Sequence, residues 1–297
     1  MDRLTALRTF VLAAEHRSFA EAARRLRLSP TAVSRGIAEL EAGLGVMLLR
    51  RTTRSVNPTP EGVAYLERCR RILEELEDAD RLVRGEDAEP HGALVVTAPV
   101  VFGRMHVLPI VNGLLARHPD LRVQLMLSDR FVRLVEEGID VAVRIGDLSD
   151  SALYAIRITE VRRVLVASPG YLDPRGEPAS VAHLHGHSLI AVETLSSHHE
   201  WRFTAEGRPA IRFEPRLATN SVEAAIDATL AGIGIARVFS YQVQQHVRAG
   251  RLRYVLEPME PPPAPVHLVF QGSRRRAPNV AAFIAAAQGY CRGRDLA

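Results

Sequence analysis

The sequence contains no lysine, so all 38 residues counted as Lys or Arg are arginines. A compositional bias of the source genome would explain this as well as nucleic-acid binding does, so this absence alone indicates no function. Only two cysteines occur, Cys69 and Cys291, and neither stands in a paired motif, which excludes a disulfide framework and suits a reducing compartment. We expect both thiols to be buried and structural, with redox sensing as the alternative.

Long apolar runs are also missing. No stretch of about 18 apolar residues occurs, which excludes an ordinary membrane-spanning helix. Residues 1–8 lack the basic and apolar regions of a signal peptide. We therefore expect a cytoplasmic protein with no membrane partner. Hydrophobic residues, in contrast, make up 47% of the 297 residues, which is enough to bury the cores of two domains.

Positive charge is concentrated at the N-terminus. Residues 1–60 contain ten arginines and five acidic residues, a net charge of +5, whereas the whole chain carries +4. The remaining residues therefore sum to −1. A basic segment attached to a nearly neutral body is typical of a nucleic-acid-binding head.

Three helices are predicted in this head. The first is amphipathic, because apolar residues recur at helical spacing at Leu4, Leu7, Phe10, Val11 and Ala14. A short second helix follows Ser18, whose hydroxyl can cap it while the Glu21 side chain reaches back to the Ser18 amide. Ser29 and Pro30 provide an N-cap and a proline at the first helical position, so a third helix begins there.

The third helix, at about residues 30–42, is apolar on one side only. Its buried stripe consists of Val33, Ile37, Leu40 and Leu44. Hydroxyl, methyl and guanidinium groups on the other side are those that contact base edges in a major groove. We therefore expect DNA contacts from Ser29, Thr31, Ser34, Arg35 and Ala38. Three packed helices without a ligand would explain the apolar spacing, but not the short second helix, the tight turn and the basic outer face together.

Residues 48–56 predict two short strands around a basic turn, which is typical of a wing beside a helix-turn-helix. We expect Arg50, Arg51 and Arg54 to lie on phosphates or in the minor groove, where they would fix register more than sequence preference. A solvated hairpin is the alternative. Pro58 cannot donate to a strand ladder, so the second wing strand is predicted to be short.

Many residues at fixed spacing run through this head: Phe10, Ala13, Ser18-Phe19, Ala22-Ala23, Leu26, Ser29, Ala32-Val33-Ser34, Ile37, Leu40-Glu41, Leu44-Gly45, Leu48 and Arg51. The set resembles the LysR-type transcriptional regulators. The sequence departs from that family at Leu49, where phenylalanine is usual, and at Asn57-Pro58, where an aliphatic residue normally precedes Thr59. The resemblance implies a winged helix-turn-helix that binds promoter DNA, in a protein that is not an enzyme.

A long linker helix is predicted from Pro60 to about residue 84. Its apolar stripe consists of Tyr65, Leu66, Cys69, Ile72, Leu73, Leu76, Ala79 and Val83. We interpret the stripe as a dimerisation surface, with packing on its own domain as the alternative. A dimer would place two recognition helices about 34 Å apart on a near-palindromic site. The polar residues 85–90 break the helix, which predicts a head at 1–59, a linker at 60–88 and a body at 89–297.

Strands and helices alternate in the body, which predicts a mixed fold class overall: an all-α winged head, a linker helix and an α/β body with parallel sheets. The predicted strands are residues 93–98, 121–127, 139–145, 164–167, 189–192, 212–218, 232–236 and 266–270. The predicted helices are residues 100–117, 131–137 and 221–230, with a terminal helix from Pro278. Residues 92–99, 137–146, 167–169 and 232–235 resemble the effector domain of the same family, which is similar to periplasmic binding proteins. The resemblance implies one lobe at about 89–161 and 267–297, a second at about 162–266, and a cleft between them.

Ligands of open α/β sheets lie beyond the carboxyl ends of the strands. This rule selects Thr97, Pro99, Phe102, Ser128, Asp129, Arg144, Gly146, Asn220 and Ser221 as effector-binding residues. Two helices begin at this edge, after Pro99 and at Ser221, and their N-termini favour an anion. Arg144 either adds positive charge for the ligand or pairs with a nearby acid. We expect a small anionic effector such as a carboxylate.

Two other function classes remain as alternatives. Histidines 183, 185, 187, 198 and 199 invite a metal site, but neither helical spacing nor a cysteine supports one, so we predict no metal and no other cofactor. An enzyme is the second class, although no nucleophile elbow and no zinc-protease motif occurs. A DNA-binding architectural protein with a ligand-free body is the third. We expect a dimer or dimer of dimers that binds promoter DNA, with RNA polymerase as a further candidate partner.

Overall fold

The computed structural model describes residues 1–51, 56–84, 89–130, 132–148, 153–192, 199–203, 210–272, 277–294 and 296. For residues 51, 71, 74, 75, 77–79 and 81–84 it describes the backbone alone. The chain divides into two compact units, residues 1–88 and residues 89–297. No helix of the described ranges combines the length and the hydropathy that crossing a membrane requires.

Three helices pack around one core in the first unit: α1 (Arg3–His16), α2 (Phe19–Leu26) and α3 (Pro30–Leu44). Phe10, Val33 and Ile37 are completely buried in this core. Arg17 and Arg27 end α1 and α2 in the left-handed conformation, with φ of 50° and 54°. These sharp ends let the chain turn within one or two residues, which produces the tight helix-turn-helix.

Half of the predicted capping box forms at the start of α2. The Ser18 hydroxyl accepts a hydrogen bond from the Glu21 amide at 3.2 Å, as expected. The Glu21 carboxylate, however, pairs with Arg24 and Arg25 instead of reaching back. The Ser18 amide has another acceptor, because it donates to the Ala13 carbonyl at the end of α1.

The wing consists of β1 (Leu49–Arg51) and β2 (Val56–Pro58), which pair antiparallel and lead into α4 (Pro60–Arg84). Pro58 is the last residue of β2 and lies opposite Leu49. The next amide, that of Thr59, donates to the Leu48 carbonyl at 2.9 Å. The second wing strand is short, as predicted, since β2 has three described residues and ends at Pro58, although one further hydrogen bond follows the proline.

The second unit consists of two α/β lobes. The elements of the first lobe are β3 (Gly92–Ala98), α5 (Val100–Phe102), a π-helical turn (Gly103–Val107), α6 (Leu108–Arg117), β4 (Leu121–Leu127), α7 (Leu134–Glu137), β5 (Val141–Ile145), β6 (Tyr154–Val161), β14 (Ala264–Phe270) and α11 (Pro278–Cys291). The elements of the second lobe are β7 (Arg163–Ala167), α8 (Pro169–Leu172), β8 (Leu189–Val192), β9 (Glu200–Arg202), β10 (Ala210–Arg212), β11 (Leu217–Thr219), α9 (Val222–Leu230), β12 (Ile235–Phe239), α10 (Ser240–Arg248) and β13 (Arg253–Val255).

Each lobe contains a five-stranded mixed sheet, of order β4-β3-β5-β14-β6 in the first and β11-β8-β12-β7-β13 in the second. The expected parallel pairing is observed for β3 with β4 and β5 and for β8 with β11 and β12, but each sheet also contains one antiparallel strand between two neighbours. β14 runs antiparallel to both β5 and β6, and β7 runs antiparallel to both β12 and β13. The reason lies in the path of the chain: it leaves the first lobe along β6 and returns along β14 in the opposite direction.

The two connections between the lobes are short and lie against each other. Arg162 is the single residue between β6 and β7, and the chain returns through residues 256–263. The Arg162 guanidinium donates to both carboxylate oxygens of Glu260, each at 2.9 Å, and thereby joins the two connections. The second stretch of the first lobe begins with Ala264, three residues before the predicted position.

Candidate functional site

The recognition helix α3 begins and ends as its sequence requires. The Ser29 hydroxyl accepts a hydrogen bond from the Ala32 amide at 3.1 Å, and Pro30 occupies the first turn. Gly45 ends the helix with a φ of 72°, which favours glycine. Since Val33 and Ile37 are completely buried against α1 and α2, the opposite face of α3 is fixed towards solvent.

That outer face carries the predicted reading groups. Thr31, Arg35 and Ala38 are exposed, as is Ser29 before them, and Ser34 is half-buried. The Arg35 side chain does not extend freely, because its Nε donates to the Glu39 carboxylate at 2.8 Å. This hydrogen bond is the main cause that lowers the pKa of Glu39, with a smaller contribution from the N-terminal amino group. The face therefore presents hydroxyl and methyl groups around one exposed ion pair.

The wing is attached to α3 by a contact that the sequence reasoning did not include. One carboxylate oxygen of Glu41 accepts hydrogen bonds from the Leu48 amide at 2.8 Å and the Leu49 amide at 3.0 Å. This contact fixes the start of β1, whose Arg50 is exposed. Of the other two arginines predicted to contact DNA, Arg51 is described by its backbone alone, and Arg54 lies outside the described residues.

The apolar stripe of α4 is divided between two surroundings. Leu66, Cys69 and Leu73 are buried in the core of the first unit, where Tyr65 also packs against Phe10, with ring centroids 5.6 Å apart. Ile72 is 49% exposed and Leu76 is half-buried, whereas Ala79 and Val83 are described by their backbone alone. The first half of the stripe thus packs on its own domain, and Ile72 and Leu76 remain accessible for a partner.

Burial also governs the two thiols. Cys69 is completely buried and burial raises its pKa to about 11. Cys291 is buried near the end of α11, and burial raises its pKa as well. Both thiols are therefore held in the unreactive protonated form at neutral pH.

A cavity of about 930 Å³ lies between the two lobes of the second unit. On the first lobe its wall is formed by residues that follow β3, β4 and β5. On the second lobe it is formed by the ends of β8 and β12, the start of β7, and the first residues of α10. This is the edge at which the parallel strands of both sheets end, where ligands of such sheets bind.

Five of the nine predicted effector-binding residues line this cavity: Pro99, Ser128, Asp129, Arg144 and Gly146. The other four lie outside its wall. Thr97 is completely buried and donates to the Met126 carbonyl. Phe102 packs in a ring cluster with His106 and Tyr241. Asn220 and Ser221 precede α9, of which only the following residue, Val222, reaches the cavity.

The two helix N-termini already have partners within the chain. An oxygen of the Asp129 carboxylate accepts from the Val100 amide at 3.1 Å, at the start of α5. The Ser221 hydroxyl accepts from the Ala224 amide at 3.2 Å, and Glu223 lies in the first turn of α9. The expected anion-binding helix ends therefore receive no support, because oxygen atoms of the chain itself occupy these positions.

Five arginines line the cavity instead, of which Arg130 and Arg133 are exposed and Arg144, Arg163 and Arg237 are half-buried. The Arg144 guanidinium donates to the carbonyls of Arg130 and Val132, at 3.5 and 3.4 Å, and burial lowers its pKa. Arg163, at the start of β7, and Arg237, in the middle of β12, were not predicted. Both are half-buried, and burial lowers the pKa of each, to about 9 for Arg237 with Arg163 as the second cause.

Aromatic rings adjoin these two arginines. The guanidinium carbon of Arg163 lies 5.1 Å from the ring centre of Phe239, and that of Arg237 lies 5.5 Å from the ring centre of Trp201. Phe213 meets Trp201 edge to face at 4.6 Å. The second-lobe wall therefore combines cations with flat apolar surfaces, which suits the binding of an anion.

The histidines considered for a metal lie apart from this cavity, with the exception of His199, which lines it. His183 and His185 lie on a short 3-10 helix, Val181–Gly186, and His198 is outside the described residues. In the part of the chain that is described, no group of three or more potential metal ligands comes together.

Comparisons with known proteins match both compact units. The sequence model of the bacterial regulatory helix-turn-helix protein, lysR family, matches residues 4–63. The sequence model of the LysR substrate binding domain matches residues 87–292. The two matches fall on the two compact units.

Regulatory proteins and their solved structures match most of the chain. An HTH-type transcriptional repressor of Pseudomonas aeruginosa is 33% identical over 287 residues, 96% of this chain and 90% of the relative. The regulator CrgA of Neisseria meningitidis is 35% identical over 250 residues, 83% of this chain and 82% of CrgA. A CrgA structure matches with a TM-score of 0.58 at 29% identity, over 95% of this chain and 98% of that one. The full-length structure of the virulence activator AphB of Vibrio cholerae matches with a TM-score of 0.61 at 25% identity, over 97% of this chain and 99% of that one.

Proposed function

Because this chain belongs to the LysR family of transcriptional regulators, we propose that it binds a near-palindromic promoter site as a dimer and that an anionic small molecule in the interlobe cavity controls this binding. The chain is a DNA-binding regulator with an effector-binding domain, as its family and relatives are, and it is not an enzyme. The proposal adds the residues, the charge of the effector and the form of the assembly.

The DNA interface that we propose consists of α3 and the wing. Ser29, Thr31, Ser34, Arg35 and Ala38 contact base edges and adjacent phosphates, and Arg50, Arg51 and Arg54 contact phosphates or the minor groove. Two observations support this assignment: the exposure of Thr31, Arg35 and Ala38 on a helix whose other side is buried, and the net charge of +5 within residues 1–60.

The proposal that the effector is an anion rests mainly on one observation. Arg163 and Arg237 lie in the cavity wall, and no carboxylate of the described residues is close enough to form an ion pair with either guanidinium. Half-buried cations without a carboxylate partner are costly, so a site built in this way favours an anion. On the first lobe we propose Pro99, Ser128, Asp129, Arg144 and Gly146 as the opposing contacts.

We propose α4 as the dimerisation element, through the side that exposes Ile72. Two heads joined by paired α4 helices would contact two half-sites, whereas a single head would bind with less affinity and specificity. A dimer of dimers is compatible with the same contact. Because its target is promoter DNA, we place the protein in the cytoplasm, with RNA polymerase as the partner on which regulation acts.

Two experiments test the proposal. Sequencing the DNA fragments that the full-length protein retains from a random pool should give a site with dyad symmetry, and a site without it would contradict the dimeric interface. Calorimetric titration of the full-length protein with a metabolite panel should detect acids. Binding of neutral or cationic compounds alone would exclude the anionic effector.

A further inference from the structure

We propose that Arg163 and Arg237 together form the subsite that binds the effector's anionic group, and that the rings beside them select a carboxylate attached to a flat aromatic body. This inference rests on the proposed function, since it specifies the ligand of the same cavity. It also places the anion on Arg163 and Arg237 rather than on Arg144 and the two helix N-termini that the sequence indicated.

Strand register brings the two arginines together. β7 and β12 pair antiparallel, with Arg163 opposite Phe239 and Leu165 opposite Arg237. Residues opposite each other share a face of the sheet, and so do residues two apart on one strand. Arg163 and Arg237 are therefore diagonal neighbours on one face, about 7–8 Å apart at the backbone. Two guanidinium groups at this spacing can approach one carboxylate from two sides.

The acidic groups nearby do not neutralise this pair. The Glu200 carboxylate lies in the same wall, but the outer arginines Arg212 and Arg202 hydrogen-bond to it and lower its pKa to about 2. Arg237 donates to a neutral acceptor, the Arg202 carbonyl, at 3.1 Å. Asp147 lies near enough to act on the pKa of Arg163, though not at the distance of an ion pair. Two like charges therefore remain side by side, which favours an added anion.

The apolar surfaces next to the pair argue for an aromatic body. Trp201 and Phe213 stand edge to face next to Arg237, and Phe239 lies beneath Arg163. A flat ring can stack or meet these rings edge to face, and such pairs gain more than burial of area alone. Aliphatic residues, including Val192 and Val238, complete this part of the wall. A saturated ring of similar volume would lose the aromatic contacts but keep the charge contact.

The chain contains its own reporter for this subsite, because Trp201 is its only tryptophan. We would titrate the full-length protein with benzoate, with its neutral isostere benzamide and with cyclohexanecarboxylate, up to about 10 mM, while following Trp201 fluorescence. The expected order of affinity is benzoate first, cyclohexanecarboxylate at least about threefold weaker, and benzamide about tenfold weaker or not detectable.

Replacing single arginines shows which of them bind the carboxylate. Arg163→Gln and Arg237→Gln should each weaken benzoate binding about tenfold. The matched control is Arg253→Gln, which removes a second-lobe arginine that is paired with Asp173 and lies outside the cavity wall. The control should bind benzoate within about twofold of the parent protein. Arg237→Lys, which keeps the charge, should recover part of the loss and shows that the position tolerates substitution.

Quenching of Trp201 provides a readout that does not depend on the choice of ligand. Iodide is an anion and acrylamide is neutral, so an arginine pair beside Trp201 should raise the ratio of iodide to acrylamide quenching. Arg163→Gln and Arg237→Gln should lower this ratio, whereas Arg144→Gln on the opposite lobe should change it less. An unchanged ratio in both variants would overturn the subsite.

The outcomes separate this inference from the proposed function. If carboxylates bind and only Arg144→Gln weakens them, the effector is anionic but the Arg163–Arg237 subsite is wrong. If cyclohexanecarboxylate equals benzoate, or if no carboxylate alters the fluorescence, the aromatic class is wrong. If benzamide binds as well as benzoate in every variant, the subsite and the anionic effector both fail.

Discussion

Arg35 is paired with Glu39 before any DNA is present. The pair spans one helical turn, and both side chains are largely exposed, at 81% and 44%. Exposed pairs of this kind are weak, so DNA can displace the carboxylate at little cost. The same contact holds the Arg35 guanidinium beside Glu39, one turn further along α3.

Replacing Arg35 should change sequence preference and not only affinity. For Arg35→Ala we expect a loss of about 1–3 kcal/mol on the preferred operator and a relaxed choice at one base pair of each half-site. The control is Arg50→Ala, which should weaken binding to all sequences alike and reduce the salt slope by about one. The measurement is a titration of operator variants at several salt concentrations. Unchanged relative affinities in Arg35→Ala would mean that another face of α3 enters the groove.

The cavity arginines were missed because strand boundaries were misplaced by a few residues. A strand was predicted at 164–167, one residue after Arg163, and another at 232–236, one residue before Arg237. The observed strands are Arg163–Ala167 and Ile235–Phe239. An arginine inside a buried strand is the sequence signal that could have revealed the site. Periodicity identifies the existence of a strand more reliably than its ends.

At the scale of elements, the π-helical turn between α5 and α6 holds an unusual histidine. The Leu108 amide donates to the Gly103 carbonyl five residues earlier, immediately before Pro109, which has no amide hydrogen to donate. His106, in this turn, is buried among Phe102, Tyr241 and Tyr290. Burial, with Arg294 as a second cause, lowers its pKa to about 4. The folded protein therefore holds His106 neutral.

This histidine should make the protein less stable in mild acid. Its pKa is about 6.5 when unfolded and about 4 when folded, so between these values the unfolded chain binds a proton that the folded chain does not. The free energy of unfolding should thus fall as the pH falls through this window. His106→Phe should remove on the order of 2 kcal/mol of that loss. Denaturant titrations at about pH 7 and pH 4.5 measure the change in the free energy of unfolding between the two pH values, with exposed His185→Gln as the control. The same change in both variants would refute the assignment.

The wing depends on one side chain of the recognition helix. Glu41→Gln keeps the size of the residue but removes the charge that accepts the Leu48 and Leu49 amides at the start of the wing. We expect about 1–3 kcal/mol of lost stability and weaker binding to all DNA sequences, since the position of the wing becomes less defined. Glu67→Gln is the control, because Glu67 is exposed on α4 and pairs with Arg70 rather than with the wing. A wild-type melting temperature for Glu41→Gln would show that the contact contributes little.

Elements with strong end signals were predicted well, and several elements without them were not. α2, α3 and α9 begin after capping serines, and the prediction placed their starts correctly. β6, β9, α10 and β13 were not predicted. β9 and β13 have three residues each, too few for alternation to be visible. Pairing with strands distant in sequence defines them, and a local pattern does not contain that information.

At the scale of the whole molecule, the proposed dimer makes a prediction about one face of α4. Ile72→Glu should weaken self-association and reduce operator affinity, because the side chain is 49% exposed beside the buried stripe. Val63, nine residues earlier and 53% exposed, lies on the opposite side of the helix. Val63→Glu is therefore the matched control and should leave the assembly intact. Sedimentation measures the self-association of the two variants. If Ile72→Glu associates as well as Val63→Glu, the interface lies elsewhere.

The position of β14 also determines when the protein can fold during its synthesis. β14 lies between β5 and β6 in the first sheet, yet it is translated about a hundred residues after β6 ends. The head and the second lobe can be complete while β5 and β6 still present open edges to other nascent chains. Slow translation after β6, or premature termination before Ala264, would prolong this exposed state. Chaperones that shield strand edges on the ribosome should then reduce the aggregation of these incomplete chains.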